Sequence, residues 1–350
     1  VRAEVIDRVV GRAVKKNSHQ PAVHLKGAAF ACRDTPDAGD RCKGSPIVGH
    51  GDRCTIRGMN HPPPTSGIRL LVLDIDGTLT DSRHTVGDTT CRAIDRVRAA
   101  GVRVMLATGR RYRDALPIME RLAITEPLVT ASGALVKRPG DHATLHRASF
   151  AAGVLPRVLA IVVADGHEPV VYTDSFEEGF DFHCRSLDAA VVPPAGGGFG
   201  EYLGRNRHLA RVAPDLHRAP PEDAFAGFVM GPREAMAALE SRLDAAFPAQ
   251  LSLHTIRSPR YSEWMCEIAP AGVTKWSGVA MVAKTLGIHA DEICAVGDDL
   301  NDLSMIRAAG LGIAMGNARD ELLIAADRVV GTHDGTGITD VVDLVLAGLA

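Results

Sequence analysis

Two aspartates one residue apart, Asp74 and Asp76, end an apolar run that begins at Ile68, and Gly77 follows them at once. Carboxylates at this spacing repel each other, so a positive group between them is expected, most simply a divalent cation. Other groups of the same chemical vocabulary stand further along: the hydroxyl of Thr108 followed by Gly109, the ammonium of Lys275, and the acidic turn Gly297-Asp298-Asp299-Leu300-Asn301-Asp302. The inventory suits phosphoryl transfer. One carboxylate can attack phosphorus and a second can protonate the leaving oxygen. A hydroxyl and an ammonium can hold phosphoryl oxygens, and acidic oxygens can hold Mg²⁺.

Lys275 is informative on composition alone. The chain has 32 arginines and 7 lysines, and beyond residue 66 the only lysines are Lys137, Lys275 and Lys284. A compact ammonium and a planar guanidinium are not interchangeable beside a nucleophile, so a lysine at the start of a helix in this chain reads as chosen.

These groups need elements that bring them together. Residues 68–73 read as a strand buried on both faces, and the C-terminal ends of strands in an open parallel sheet share one edge. A helix is predicted over 88–99, with Cys91, Ile94 and Val97 on one face and Gly101 as its stop. A strand over 102–107 ends at Thr108. A helix over 112–123 contains Pro117, which predicts a kink or a late start. A third strand over 127–136 is interrupted by Ser132-Gly133. This alternation predicts an α/β fold with a Rossmann-like parallel sheet core. From 150 to 260 the rhythm changes. Strands at 170–173, 225–230 and 251–256, a helix over 234–246 and the loop Pro193-Pro194-Ala195-Gly196-Gly197-Gly198 predict an inserted α+β domain. The alternation then resumes, with helices over 276–286 and 338–349 and strands over 292–296, 311–315 and 327–330. The expected organisation is therefore a leader (1–66), a core (67–149 and 261–350) and an inserted cap (150–260).

The leader carries 11 lysines and arginines against 6 acidic residues, lacks a sustained period, and ends in His61-Pro62-Pro63-Pro64. Its composition favours an unstructured segment, with Met59 as the native start, over two rivals. One rival is a zinc site of Cys32, Cys42 and Cys54 with His24, His50 and His61, whose spacings match no ordinary zinc module. The other is a basic arm for nucleic acid or a membrane surface. For the whole chain, a net charge of −3 gives no reason to expect a nucleic-acid partner. No apolar run approaches the ~20 residues of a membrane span and no secretory signal is visible, so a cytoplasmic protein without membrane association is expected. The seven cysteines are scattered without a CxxC pair, which predicts free, mostly buried thiols.

Four segments in order, Asp74-Ile75-Asp76-Gly77-Thr78-Leu79, Ala107-Thr108-Gly109-Arg110, Gly272-Val273-Thr274-Lys275 and Gly297-Asp298-Asp299-Leu300-Asn301-Asp302, resemble the motifs of haloacid dehalogenase superfamily phosphatases. The large insertion between the second and third is similar to the C2 cap of the Cof-like, type IIB subfamily. Ala314-Met315-Gly316-Asn317-Ala318 and His333-Asp334-Gly335 resemble its C-terminal signatures, and the match spans about residues 68 to 350. The resemblance implies that Asp74 is the nucleophile, Asp76 the general acid and base, and Thr108 and Lys275 the groups that hold the phosphoryl oxygens. It implies phosphate contacts at Gly109 and Asn301 as well. Mg²⁺ would be held by Asp74, the backbone carbonyl of Asp76, Asp298 and Asp302. The implied partner is a small-molecule phosphate ester.

Two departures stand out. Ser132-Gly133-Ala134 replaces a common Asn-Gly-Ala, which shortens a polar contact to substrate, and Trp276 replaces a small residue and is expected to pack under the cap. Gly272 to Gly278 lacks the paired glycines and Lys-Ser/Thr order of a nucleotide P-loop, and no GxGxxG follows a strand. Two rivals remain: a phosphosugar mutase using the same aspartates, and a non-enzymatic, phospho-accepting regulatory protein.

Overall fold

The computed structural model describes residues 67–188 and 197–348. The leader, with Cys32, Cys42, Cys54, Met59 and its candidate zinc ligands, lies outside the described residues, as do residues 193–196 of the expected loop. The chain opens with β1 (Leu70–Leu73), α1 (Asp88–Ala99), β2 (Arg103–Leu106) and α2 (Tyr112–Arg121). Three short antiparallel strands follow, β3 (Leu128–Thr130), β4 (Leu135–Lys137) and β5 (Thr144–Arg147). Next come α3 (Val154–Ala164), β6 (Val170–Tyr172), β7 (Phe182–Cys184), α4 (Gly198–Asn206), β8 (Ala210–Val212), β9 (Ala226–Gly231), α5 (Arg233–Ala246), β10 (Leu251–Arg257) and β11 (Trp264–Pro270). The chain closes with α6 (Lys275–Thr285), β12 (Ile293–Gly297), α7 (Leu303–Ala308), β13 (Leu311–Ala314), α8 (Asp320–Ala325), β14 (Arg328–Val329) and α9 (Gly337–Ala347).

A five-stranded sheet in the order β14-β13-β12-β1-β2 is parallel throughout. β1 lies between β12 and β2, and its four residues are fully buried. The pleat sends Leu71 and Leu73 to one face, where they meet Ile94 and Val97 of α1 and Val341, Val342 and Val345 of α9. Leu70 and Val72 point to the other, against Val279 and Val282 of α6, Met305 and Ile306 of α7 and Leu322 of α8. Burying each such side chain contributes about 1.5–3 kcal/mol, so the strand that carries Asp74 is anchored from both sides. This is the α/β, Rossmann-like architecture expected.

A second sheet of six strands runs β10-β11-β9-β6-β7-β8 and is mixed. It takes its last strand from Trp264–Pro270, so the boundary expected at residue 260 falls in the loop before β11. β11 pairs with both β10 and β9, and that pairing carries the sheet beyond the loop.

The segment expected as one interrupted strand over 127–136 is a hairpin. Ala131 and Ser132 adopt left-handed φ of 47° and 54°, and Gly133 reaches 105°, which reverses the chain between β3 and β4. Gly133 also allows the approach of α6, because a Cβ there would stand 2.0 Å from the carbonyl oxygen of Thr274. α2 starts at Tyr112 with Pro117 inside it, not after it. Trp276 packs with the hydrophobic group on the α6 face of the parallel sheet, not under the inserted domain. The four cysteines among the described residues are free, and Cys184, Cys266 and Cys294 are buried. No helix among the described residues is long and apolar enough to cross a membrane.

Candidate active site

The edge formed by the C-terminal ends of β1, β2 and β12 gathers the predicted residues. Asp74 follows β1 directly, and its N–H donates to Val296 O of β12 at 3.1 Å. Thr108 lies just past β2 and Asp298 just past β12. Lys275 is the first residue of α6, placed there by a capping box in which Thr274 and Ser277 exchange hydrogen bonds. A cavity is lined by Asp74, Asp76, Gly77, Thr108, Gly109, Lys275, Asp298 and Asn301 on the parallel-sheet side, and by Tyr172, Tyr202, Arg260, Tyr261 and Glu267 on the side of the second sheet.

Lys275 is the hub. Its side chain is 1% exposed, and Nζ donates to Asp74 Oδ1 at 2.7 Å and Asp302 Oδ1 at 2.6 Å. Asp302 Oδ2 accepts the N–H groups of Asp298 and Asp299 at 3.0 and 3.1 Å. Both oxygens of Asp302 are thereby engaged. Asp298 accepts from Thr78 Oγ1 at 3.2 Å and lies within 3.4 Å of Asn317 Nδ2, which also donates to Gly77 O at 2.9 Å. Carboxylate oxygens of Asp74, Asp298 and Asp302 fall within 4.8 Å of one another.

Burial pushes the Asp74 carboxyl up to about 7, against the pull of Lys275 and with the push of Asp302 and Asp76. Asp298 is pushed up to about 9 by burial and by Asp74, Asp302 and Asp299 around it. Lys275 is raised, because its two carboxylates outweigh the burial that opposes its charge. Asp76 moves the other way. Burial works against its charge, but Arg110 grips both its oxygens at 2.7 and 2.6 Å, and these bonds with the charges of Arg110, Arg260 and His84 hold it below the usual carboxylate range. The site therefore sets a carboxylate clamped by a guanidinium, Asp76, beside a cluster of three, Asp74, Asp298 and Asp302, that shares the single ammonium of Lys275.

Thr108 is 1% exposed, and its hydroxyl accepts the Arg110 N–H at 3.1 Å, which leaves the hydroxyl proton to give. Gly109 lies on the cavity wall beside Glu267, Ser132 and Asn301. The Ser132 hydroxyl donates to Glu267 Oε2 at 2.8 Å and so ties the hairpin to β11. Asp299 caps the turn that carries Asn301, accepting the Leu300 N–H at 2.8 Å. Sequence reasoning gave no role to Arg110, Asn317 or Glu267. The first two sit inside quoted motifs, so their position was a usable signal. Glu267 lies in an unread strand.

Gly77 is irreplaceable here on two counts. Its φ is +76°, and a Cβ would stand 2.2 Å from Asp298 Oδ2. Gly77→Ala is expected to cost about 1–2 kcal/mol in left-handed strain alone, before the displacement of Asp298 is counted. Urea denaturation with an unchanged midpoint would contradict this account.

Comparison with known proteins identifies the family. The family model for haloacid dehalogenase-like hydrolases matches residues 71–342. The HMP-PP phosphatase of Serratia proteamaculans is 30% identical over 269 residues, covering 75% of this chain and 90% of its own. The 5-amino-6-(5-phospho-D-ribitylamino)uracil phosphatase YitU of Bacillus subtilis is 26% identical over 271 residues, covering 77% of this chain and 94% of its own. The crystal structure of a haloacid dehalogenase-like hydrolase from Bacteroides thetaiotaomicron aligns with a TM-score of 0.65 at 23% identity, over 79% of this chain and 99% of that one. The chain belongs to the haloacid dehalogenase-like hydrolases, as a phosphatase of the Cof-like kind.

Proposed function

We propose that this phosphatase is Mg²⁺-dependent and hydrolyses a small phosphate monoester, a sugar phosphate or similar metabolite, through an aspartyl-phosphate at Asp74. The insertion that begins near residue 150 and contributes the six-stranded sheet serves as the cap over the cavity. The observation that carries this reading is the buried ammonium of Lys275 against Asp74 Oδ1, which fixes that carboxylate and leaves Oδ2 for attack on phosphorus.

Asp74 Oδ2 forms a bond to phosphorus as the ester P–O bond breaks, and Asp76, once released from Arg110 and protonated from solvent, gives that proton to the departing alkoxide. Asp76 then takes a proton from the water that attacks the aspartyl-phosphate, which frees inorganic phosphate and restores Asp74. The Arg110 clamp holds Asp76 ionised, the form in which it acts as base, so Asp76 must leave Arg110 to act as acid. Thr108, the Gly109 backbone and Asn301 receive the phosphoryl oxygens, while Lys275 offsets charge on Asp74 and the phosphoryl group.

The residues present fit a divalent cation. Asp74 and Asp298 are both raised, first by burial and then by the carboxylates around them, and a hard cation supplies the positive charge that oxygen ligands of this kind accept. Asp74, Asp298 and the backbone of Asp76 would hold it, with Asp302 positioning Lys275 and the 298–299 turn from behind. When bound, Mg²⁺ would neutralise phosphoryl charge beside Asp74.

This arrangement predicts a pH-dependent metal effect on stability. Asp74 and Asp298 keep protons in the folded chain at pH values where the unfolded chain has lost them. Metal-free stability therefore falls as pH rises from the ordinary carboxylate range through about 7 and about 9. Added Mg²⁺ takes the place of those protons, so its elevation of Tm is expected to grow between pH 6 and pH 8.5. An equal elevation at both values, read by scanning fluorimetry, would refute it.

The function itself is tested by a panel of phosphorylated metabolites with Mg²⁺, reading inorganic phosphate and kcat/KM with and without EDTA. Phosphate release that EDTA abolishes is expected. Isomerised ester without release would make the chain a mutase, and no turnover of any ester would return the regulatory reading.

A further inference from the structure

Past the Asp76–Arg110 pair, the cavity wall carries Arg111, Arg260 and Tyr202 around Asp114. Arg111 is buried and gives hydrogen bonds to Asp114 Oδ2 at 3.0 and 2.8 Å and to Asn206 Oδ1 at 2.6 Å. Its Nη1 has no hydrogen-bond partner, with Asp181 Oδ2 at an ion-pair distance of 3.6 Å. The Tyr202 hydroxyl, in a residue 4% exposed, makes no hydrogen bond of standard geometry and has the Tyr172 hydroxyl as its close polar neighbour. Arg260, which arrives from the loop before β11, reaches Asp114 Oδ2 at 3.2 Å. Asp114 thus serves two guanidiniums, while Asp181 is shared with Arg113 at 3.0 Å. Three arginines divide two aspartates.

The tyrosine rings are already spoken for. Tyr202 packs edge-on against Phe228 and Tyr261, and Tyr172 stacks on Phe225, so the rings offer their hydroxyl ends and not an open stacking face. Unsatisfied buried donors and a surplus guanidinium both call for an acceptor that carries negative charge.

We propose that Arg111, Arg260 and Tyr202 receive a second anionic group on the substrate's leaving group, so that the preferred esters carry a carboxylate or another phosphate besides the phosphoryl that is transferred. The inference rests on the hydrolytic reading above and names the substrate class within it. Asp114 orients both arginines and is a positioning residue in this arrangement.

Matched pairs of esters test it. 3-Phosphoglycerate differs from glycerol 3-phosphate by a carboxylate in place of an alcohol, and glucose 1,6-bisphosphate differs from glucose 6-phosphate by a second phosphate. With Mg²⁺ present, the anionic member of at least one pair is expected to show a kcat/KM at least tenfold higher. The pair that discriminates identifies which anion is read. Arg260→Gln and Tyr202→Phe are each expected to reduce that ratio severalfold. Arg260 lies on a loop outside the hydrophobic core, which keeps its variant informative if the tyrosine variant folds poorly. Ratios below twofold in both pairs, or a ratio that survives both substitutions, would overturn the proposal. The hydrolytic reading fails separately, through absence of phosphate release from all four esters and from p-nitrophenyl phosphate. In that event, calorimetric Kd values for the same pairs decide the anion site by themselves.

Discussion

An Asp74→Asn protein is expected to fold like the wild type and to release phosphate about 10⁴-fold more slowly or worse, a loss of roughly 5 kcal/mol of transition-state stabilisation. The amide has the size of the carboxylate, and its oxygen accepts from Lys275 Nζ where Asp74 Oδ1 does at 2.7 Å. It cannot form the bond to phosphorus. The change also removes a carboxyl that burial already pushes up to about 7, so the folded state gives up little. Two measurements check this together: steady-state phosphate release with Mg²⁺, and the thermal midpoint. Wild-type turnover by the variant would take the nucleophile's role away from Asp74. A collapsed midpoint would show that Asp74 is chiefly structural.

Lys275→Met is expected to fail differently, losing both activity and about 3–5 kcal/mol of stability. The ammonium lies between Asp74 and Asp302 with 1% of its side chain exposed, so its removal leaves two buried carboxylates facing each other beside Asp298. In a chain of this size, about 2–4 °C of Tm accompanies each kcal/mol, which places the midpoint roughly 10 °C lower. The deficit should narrow as pH falls, because protonation relieves the stranded carboxylates. Lys275→Arg is no rescue, since a planar guanidinium does not fit a slot closed around a single nitrogen. A Lys275→Met protein that melts with the wild type would show that the pairs at 2.7 and 2.6 Å contribute nothing to the fold.

The parts of the molecule legible in the sequence are those where one physical constraint acts alone. β1 is buried on both faces, so its apolar run announced it, and the carboxylate at its tip had nowhere to go but the sheet edge. The start of α6 was equally plain, since Thr274 and Ser277 form a capping box around the one lysine in that stretch. The inserted region hid more. α3 is apolar nearly all round, with Val158, Leu159 and Val162 buried together, and such a helix has no 3.6-residue stripe to read. β7 and β8 are three residues each, too short for alternation to register. The hairpin at 128–137 looks like one strand in the sequence because its reversal depends on left-handed φ at Ala131 and Ser132, which residue type does not announce. Within the site, sequence spacing could bring Asp76 and Arg110 to the same edge. It could not foretell that they clasp, nor that Lys275 and the N–H groups of Asp298 and Asp299 occupy both oxygens of Asp302.

The scarcity of lysine has a practical side. Lys137 is 4% exposed and bound to Asp174 at 2.6 Å and Thr144 at 2.9 Å, and Lys275 is buried against Asp74 at the base of the cavity. Among the described residues, that leaves Lys284 as the exposed primary amine. It lies near the far end of α6, about 13 Å along the helix from Lys275. Among the lysines of the described region, an amine-directed reagent would therefore react at Lys284, far from the ammonium at Asp74.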